Sequence, residues 1–328
     1  NLPEDLNELT DQDFRFVVRT WIEENYPTHL PRFPTFRPHR PETEEWYQRL
    51  AKKGWLAPGW PREFGGMELS AAKRLIMIEE LDRFGCARFS DQGVVMVGPL
   101  LMNFGTEKQR RHFLPKILTG EHIWAQCYSE PAAGSDLAGL RTEALLDGEE
   151  WVINGQKTWT TLANDANWFY VLVRTDKDAK KQEGISVLMV PADAPGVTVR
   201  PFKTLGMHEE FCEVFFDNVR VPKDALVGEV NKGWGIAKAL LSFERIFLGS
   251  LAQSSKAFSR LADLAAALGV ADDPSFNDEF TKLACDIADH AALYEIYLEK
   301  VRRREELGPD VSMLKIRSEE HTSELQSP

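Results

Sequence analysis

The stretch from Cys127 to Asp136 is Cys-Tyr-Ser-Glu-Pro-Ala-Ala-Gly-Ser-Asp, and further along the chain Asn154 to Thr161 is Asn-Gly-Gln-Lys-Thr-Trp-Thr-Thr. The apolar run from Ile123 to Tyr128 predicts a short buried strand. The proline, glycine and serine that follow it predict a tight polar turn. Such a turn offers backbone N–H groups and hydroxyls to an anionic or polar ligand.

The second stretch begins with Asn154-Gly155, a pair that is typical of a β-hairpin turn. It then sets Trp159 among threonine hydroxyls, which suits the binding of a flat heteroaromatic ring. The residues alone leave the ligand open.

Three segments, in this order, resemble the signatures of FAD-dependent acyl-CoA dehydrogenases. They are Ser-Glu-Pro-x-x-Gly-Ser-Asp, Ile-Asn-Gly-x-Lys-x-Trp-x-Thr, and Val-Arg-Val-Pro-Lys-Asp-Ala-Leu-Val-Gly from Val219 to Gly228. The resemblance extends from Leu6 to about Arg317. It implies oxidation of an acyl-CoA between its α and β carbons, with a carboxylate taking the α proton and the β hydride passing to flavin N5.

Composition is that of a globular protein: of 328 residues, 43% are hydrophobic and 27% are charged. The net charge of −12 argues against nucleic acid as a partner, because phosphate binding needs a basic surface. No apolar run is long enough for a membrane span, and no motif with metal-ligand spacing occurs, so we expect neither. His208 is predicted to be a loop residue and not a ligand.

The hydrophobic period predicts an α+β multidomain fold. Helices are expected in residues 1–122, an antiparallel, barrel-like sheet in residues 123–228 and further helices in residues 229–317. The resemblance implies that these last helices are an incomplete helical bundle. Asp147-Gly148 and Asn154-Gly155 are expected to separate short strands. A long helix is predicted from Gly233 to about Leu268, and another from about Asn277 to Leu307. This order of domains matches the resemblance.

The resemblance implies contacts with FAD for one set of residues: Gln126, Tyr128, Ser129, Gly134, Ser135, Trp159 and Thr161. The hydroxyls of Ser129 and Thr161 would bind the edge of the isoalloxazine ring, Trp159 would pack at its face, and Ser135 would also touch the thioester arm of the substrate. A sheet-core role for Trp159 and a turn role for Ser129 are the structural alternatives.

The catalytic carboxylate is implied by the pair Glu244-Arg245, which matches a branch of the family that carries its base on the long helix. Glu244 would take the α proton, and Arg245 would shape the charge of the site and contact the substrate. An exposed helical glutamate is the alternative, with the base in a C-terminal loop.

One departure from the family lies between Leu261 and Asp273, where the usual Arg-x-x-Phe-Gly pattern is absent. In the family that arginine reaches the FAD of a neighbouring subunit. Its absence favours a divergent branch that acts on bulky, ring-containing or dicarboxylic acyl chains.

The resemblance also implies partners: an acyl-CoA substrate, an electron-transfer flavoprotein as acceptor, and a homo- or hetero-oligomer. An acyl-CoA oxidase reoxidised by O₂ and a non-catalytic subunit or inactive fragment are alternatives. Four widely spaced cysteines and the lack of a signal peptide favour a reducing compartment, either cytoplasm or mitochondrial matrix.

The residues after about Arg317 do not resemble the family. Arg317 to Ser327 back-translates onto a widely used sequencing adapter. We therefore expect the natural reading frame to be lost after about Arg317, with residues 318–328 as a non-native tail.

Overall fold

The computed structural model describes residues 3–34, 36–89, 92–248, 251–303, 305 and 307–317; the side chains of 241–250, 252, 253, 301 and 302 lie outside this description, as does the tail expected at 318–328. The chain divides into two compact units, Asn1–Leu240 and Leu241–Pro328. The predicted order of helices, sheet and helices is confirmed.

The first unit opens with five α-helices: α1 (Asp11–Asn25), α2 (Arg40–Lys53), α3 (Ala71–Phe84), α4 (Gly98–Phe104) and α5 (Glu107–Thr119). Local capping explains several of their starts. The Thr10 hydroxyl accepts the N–H of Asp13, and Thr106 and Gln109 form a reciprocal capping box. Helix α1 buries Phe14, Val18 and Ile22 on one face, as its apolar period predicts.

A buried carboxylate joins α1 to α3. Glu80 is only 1% exposed, and it accepts hydrogen bonds from Arg15, Arg19 and Arg83 at 2.7–3.0 Å. Burial alone would raise the pKa of Glu80, but the three guanidinium groups outweigh it and lower the pKa to about 2. Glu80 therefore stays charged and holds the two helices together.

The start of α4 is irregular. Residues Gly93–Val97 form a π-helical turn, and α4 follows it. Trp60 explains part of this geometry, because its indole Nε1 donates to the carbonyl of Val94 and its ring packs where Gly98 would carry a Cβ.

The sheet of the first unit has eight strands. Their bounds are β1 (Trp124–Cys127), β2 (Glu143–Asp147), β3 (Glu150–Thr161), β4 (Trp168–Arg174), β5 (Ile185–Pro191), β6 (Val197–Phe202), β7 (Phe211–Pro222) and β8 (Leu226–Val227). The strand order is β6-β7-β3-β2-β4-β5-β8, and β1 pairs with β4. Most pairs are antiparallel, whereas β1 and β2 each run parallel to β4. One face of this sheet has its own apolar core, and the other packs with the helices.

The hairpin expected at Asn154-Gly155 is wrong, whereas Asp147-Gly148 does mark the turn between β2 and β3. Gly155 lies inside β3 at a bulge, with φ +151, and a Cβ there would come within 2.5 Å of the Thr142 hydroxyl. The glycine is needed for this close approach and not for a turn.

A carboxylate of the sheet caps a helix of the N-terminal layer. Asp165 follows β3 and accepts the backbone N–H of Arg40 at 2.8 Å and the Nδ1 of His39 at 3.0 Å. Arg40 opens α2, so the negative charge lies at the positive end of that helix.

Helix α6 (Gly233–Leu248) begins in the first unit, where Ile236, Ala237 and Leu240 join the core. In the second unit, α7 (Ala252–Leu268) and α8 (Pro274–Arg302) pack through stacked Phe258 and Phe280, and residues 312–317 are helical. The long helix expected from Gly233 to Leu268 is thus seen as α6 and α7, with 249 and 250 outside the description. Helix α8 ends before Leu307.

The four cysteines are all free. Among the described residues, no helix is long and apolar enough to cross a membrane, and no group of side chains could hold a metal ion. His208 lies in an exposed loop, stacked on Phe36.

Candidate functional site

A β-bulge near the end of β3 sets the position of Trp159. Lys157 pairs with Val214 and Thr160 with Cys212, so β3 has one residue more than β7 over this interval. Trp159 takes φ +58 and is 59% exposed, although Lys157 two positions before it and Thr160 directly after it are buried. The sheet-core alternative for Trp159 is therefore excluded.

The exposed indole is held by two other aromatic rings. Phe202 and Phe211 meet it edge-on, with centroid distances of 5.1 and 5.4 Å. Its accessible surface is thus a supported platform on which a planar ligand could pack. Thr161, half-buried, ends the strand beside it.

The two motifs of the sequence lie side by side. The N–H of Thr158 donates to the carbonyl of Ser129 at 2.9 Å, and Lys157 Nζ donates to the carbonyl of Tyr128 at 3.0 Å. The polar turn and the aromatic platform therefore belong to one site, although they are far apart along the chain.

A buried ion pair lies beneath this contact. Lys157 is 0% exposed, and its Nζ lies 2.9 Å from Oε1 of Glu130, which is also buried. Burial would raise the pKa of Glu130, but the Lys157 charge and the N–H groups of Thr142 and Arg141 outweigh it, and the pKa lies below its usual value. Burial lowers the pKa of Lys157, and the Glu130 charge offsets part of that shift.

The turn itself is anchored at its far end by Arg174. This guanidinium donates to the carbonyls of Ala138 and Lys181 at 2.6 and 2.7 Å. Between the two anchors, Gly134 and Ser135 are exposed, and Gly134 has no atom near the position of a Cβ. The tip of the turn is therefore open to a ligand.

Strand β1 contributes an amide to the same region. Gln126 is half-buried, and its Nε2 is a buried donor that finds no hydrogen-bond partner within the described part of the chain. Its register neighbour Tyr170 donates to Gln92 at 2.6 Å and meets the Tyr128 ring edge-on at 5.7 Å. An unpaired buried donor costs about 1–3 kcal/mol, so a bound acceptor at Gln126 would be stabilising.

The thiol of Cys127 is no reactive group. It is completely buried, and burial raises its pKa to about 12, so it stays protonated. Its contact is with the Thr160 hydroxyl, at 3.9 Å.

The structure thus places Tyr128 and Ser129 against the end of β3 that carries Trp159 and Thr161, with Gln126 on β1 and Gly134 and Ser135 on the attached turn. An unsatisfied donor, an exposed indole and an open turn fit a planar, polar ring with an anionic arm such as a flavin nucleotide. Glu244 and Arg245 lie on α6, and their side chains are outside the described residues.

Glu130 and Lys157 lie within the two motifs, but no role was predicted for either residue. A signal was present in the lysine itself, since a lysine within a strand requires an acidic partner when the sheet buries it. The partner could not be named, because it lies in another motif.

Family models match most of the first unit. The N-terminal domain of acyl-CoA dehydrogenases matches residues 9–121, and their middle domain matches residues 125–219. The middle-domain match contains both motifs of the site.

Individual relatives indicate the same family. The chain is 41% identical over 280 residues to the acyl-CoA dehydrogenase IpdE1 of Mycobacterium tuberculosis, covering 83% of this chain and 73% of that protein. Among solved structures, the Tcur3481-Tcur3483 steroid ACAD is similar with a TM-score of 0.85 and 32% identity over 98% of this chain and 84% of its own. The ChsE4-ChsE5 complex of Mycobacterium tuberculosis is similar with a TM-score of 0.79 and 30% identity over 96% and 83%. The chain therefore belongs to the acyl-CoA dehydrogenase family, whose members are flavin-dependent oxidoreductases of the CH–CH group.

Proposed function

We propose that this chain binds FAD and oxidises an acyl-CoA thioester between its α and β carbons. The observation that carries the proposal is the joined site: the polar turn after β1 and the Trp159 platform are held together by hydrogen bonds between residues 128–129 and 157–158. An acyl-CoA dehydrogenase needs both halves, one for the edge of the flavin ring and one for its face.

Each residue has a role in holding the cofactor. Gln126 Nε2 would donate to the ring, Tyr128 would line its buried side, and the Ser129 and Thr161 hydroxyls would bind its edge. Trp159 would cover one face. Gly134 and Ser135, on the open turn, would allow the anionic arm to approach the backbone, and Ser135 would also contact the thioester. FAD, when bound, supplies the acceptor for the β hydride.

Proton removal is assigned to Glu244, with Arg245 beside it binding the substrate. The support is the sequence Ser-Phe-Glu-Arg on α6, which matches the branch of the family with its base on this helix. A carboxylate must take the α proton, and Glu244→Gln removes that capacity with little change in volume.

The test is an anaerobic titration of the FAD-loaded protein with acyl-CoA thioesters, followed by flavin absorbance. The wild type is expected to bleach, and Glu244→Gln should bind FAD normally but bleach at least about 100-fold more slowly. Glu229→Gln, an exposed neutralisation just before α6, is the matched control and should bleach like the wild type. Equal bleaching of all three would refute the role of Glu244.

The substrate we propose is a bulky, ring-containing acyl chain. The support is the absence of the Arg-x-x-Phe-Gly pattern, together with the similarity to a structure described as a steroid ACAD. Thioesters with fused-ring and with straight acyl chains are the two arms of the same titration. Bleaching by the straight chains alone would contradict this assignment.

The electron acceptor we propose is an electron-transfer flavoprotein, and the assembly is an oligomer. The ChsE4-ChsE5 relative is described as a complex, which supports a hetero-oligomer. Rapid oxygen consumption with substrate would instead favour the oxidase alternative.

A further inference from the structure

The buried pair Glu130–Lys157 connects the two motifs of the site at their most enclosed point. A completely buried lysine is costly unless its charge and its N–H groups are satisfied. Here both hydrogen bonds of the ammonium group go to the loop that carries Ser129.

Lys157 Nζ bridges two groups of that loop, the Tyr128 carbonyl at 3.0 Å and the Glu130 carboxylate at 2.9 Å. The carboxylate in turn accepts the backbone N–H groups of Arg141 at 2.6 Å and Thr142 at 2.8 Å. One ion pair thus fixes the beginning and the end of the turn, from residue 128 to residue 142.

The same lysine fixes the aromatic side of the site. The bulge that exposes Trp159 begins directly after Lys157, and the intervening Thr158 N–H binds the Ser129 carbonyl. A displacement of Lys157 in β3 would therefore move the indole relative to Ser129.

We infer that Glu130 and Lys157 are positioning residues, which set the distance between the Ser129 side and the Trp159 side of the proposed FAD site without touching FAD. This inference rests on the proposed function. An apolar pair of equal size could fill the same volume, but it could not bind the Tyr128 carbonyl and the two N–H groups that define the turn.

The experiment compares Lys157→Met, the double variant Glu130→Gln/Lys157→Met, and Glu80→Gln in the full chain. Lys157→Met leaves a buried carboxylate unpaired, so it is expected to lose the most stability. The double variant removes that charge and should recover part of the loss. Glu80→Gln is the matched control, because it neutralises another buried, ion-paired carboxylate, in the helical layer.

Three quantities are measured: the melting temperature, the Kd for FAD added to apoprotein, and the fluorescence and visible spectrum of FAD at saturation. Both Lys157 variants should raise the Kd by about tenfold or more, and their bound FAD should be brighter because Trp159 no longer lies against the ring. The double variant should not recover wild-type fluorescence, although it recovers part of the lost stability. Glu80→Gln should lower the melting temperature and leave the Kd and the spectrum unchanged.

The inference is overturned if the wild type binds FAD and both Lys157 variants bind it with the same Kd and the same spectrum. It is also overturned if the FAD readouts simply follow the melting temperature across all variants, Glu80→Gln included. A wild type that takes up no FAD would overturn the proposed function and this inference together.

Discussion

Replacing Glu80 by glutamine tests whether its hydrogen bonds to arginine residues hold α1 and α3 together. The carboxylate receives hydrogen bonds on both oxygens, and those on Oε2 come from Arg19 Nε and Arg83 Nε at 2.9 and 2.7 Å. A glutamine keeps one acceptor oxygen but presents N–H donors to these two guanidinium groups.

The size of the effect follows from those two lost bonds. A hydrogen bond to a charged group contributes about 1.5 kcal/mol at the lower end, so the loss comes to about 3 kcal/mol of unfolding free energy. The side chains of Arg19 and Arg83 are 43% and 40% exposed, so they regain water and add no further penalty. For a unit of this size, the melting temperature should fall by about 6–12 °C.

The neighbouring Glu79 provides the control. Its carboxylate is 47% exposed and pairs with Arg15, so Glu79→Gln should cost no more than about 1 kcal/mol. Urea unfolding followed by tryptophan fluorescence measures both variants, since Trp21 and Trp46 stack between α1 and α2. Equal losses in the two variants would refute the reasoning.

The pH dependence of the unfolding free energy gives a second test of the stabilisation by Glu80. The pKa of Glu80 is depressed in the folded state, to about 2 from an unperturbed 4.5. Its contribution is therefore complete above pH 4.5 and is lost as the pH falls towards 2. The stability difference between wild type and Glu80→Gln should shrink over that interval, and a constant difference would contradict the assignment.

Two further outcomes are expected. Trp159→Ala should weaken FAD binding by about tenfold or more, because stacking of a ring on an aromatic side chain contributes about 1–3 kcal/mol. The Kd is measured by a fluorescence titration of apoprotein with FAD. Leu205→Ala, which removes another exposed apolar side chain, should leave this Kd unchanged. Asp165→Asn should lower the unfolding free energy by about 1 kcal/mol, because it weakens the capping of α2 at Arg40. Asp178→Asn, in an exposed loop, should leave the unfolding free energy unchanged. If thermal melts show the same stability for Asp165→Asn as for the wild type, the capping role is excluded.

Local signals were sufficient for the helical layer. Thr10 and Thr106 cap α1 and α5 through residues three positions along the chain, so their geometry is contained in the sequence itself. The order of the three motifs, which resembles that of a known family, was sufficient to predict the order of the helical and sheet domains. Glu244 and Arg245 stay predictions.

Local sequence patterns could not predict which distant segments of the chain pair with each other. Asn154-Gly155 has the composition of a hairpin turn, but β7 supplies a partner strand that carries β3 straight through it. The exposure of Trp159 likewise depends on a bulge that exists only relative to β7. The Glu130–Lys157 pair needs two segments to meet in space, and no periodicity in either one encodes that meeting.

The bulge after Lys157 also has a meaning for the alignment of related sequences. Side chains alternate between the two faces of a strand, so the extra residue works as a phase shift between Lys157 and Thr160. A sequence with one residue fewer in this interval would have no bulge and only one residue between the two buried positions, so it would lose either the Thr158 N–H that binds Ser129 or the Trp159 platform. The length of Lys-x-x-Thr is therefore as informative as its letters, and a one-residue gap there should count more heavily than a substitution.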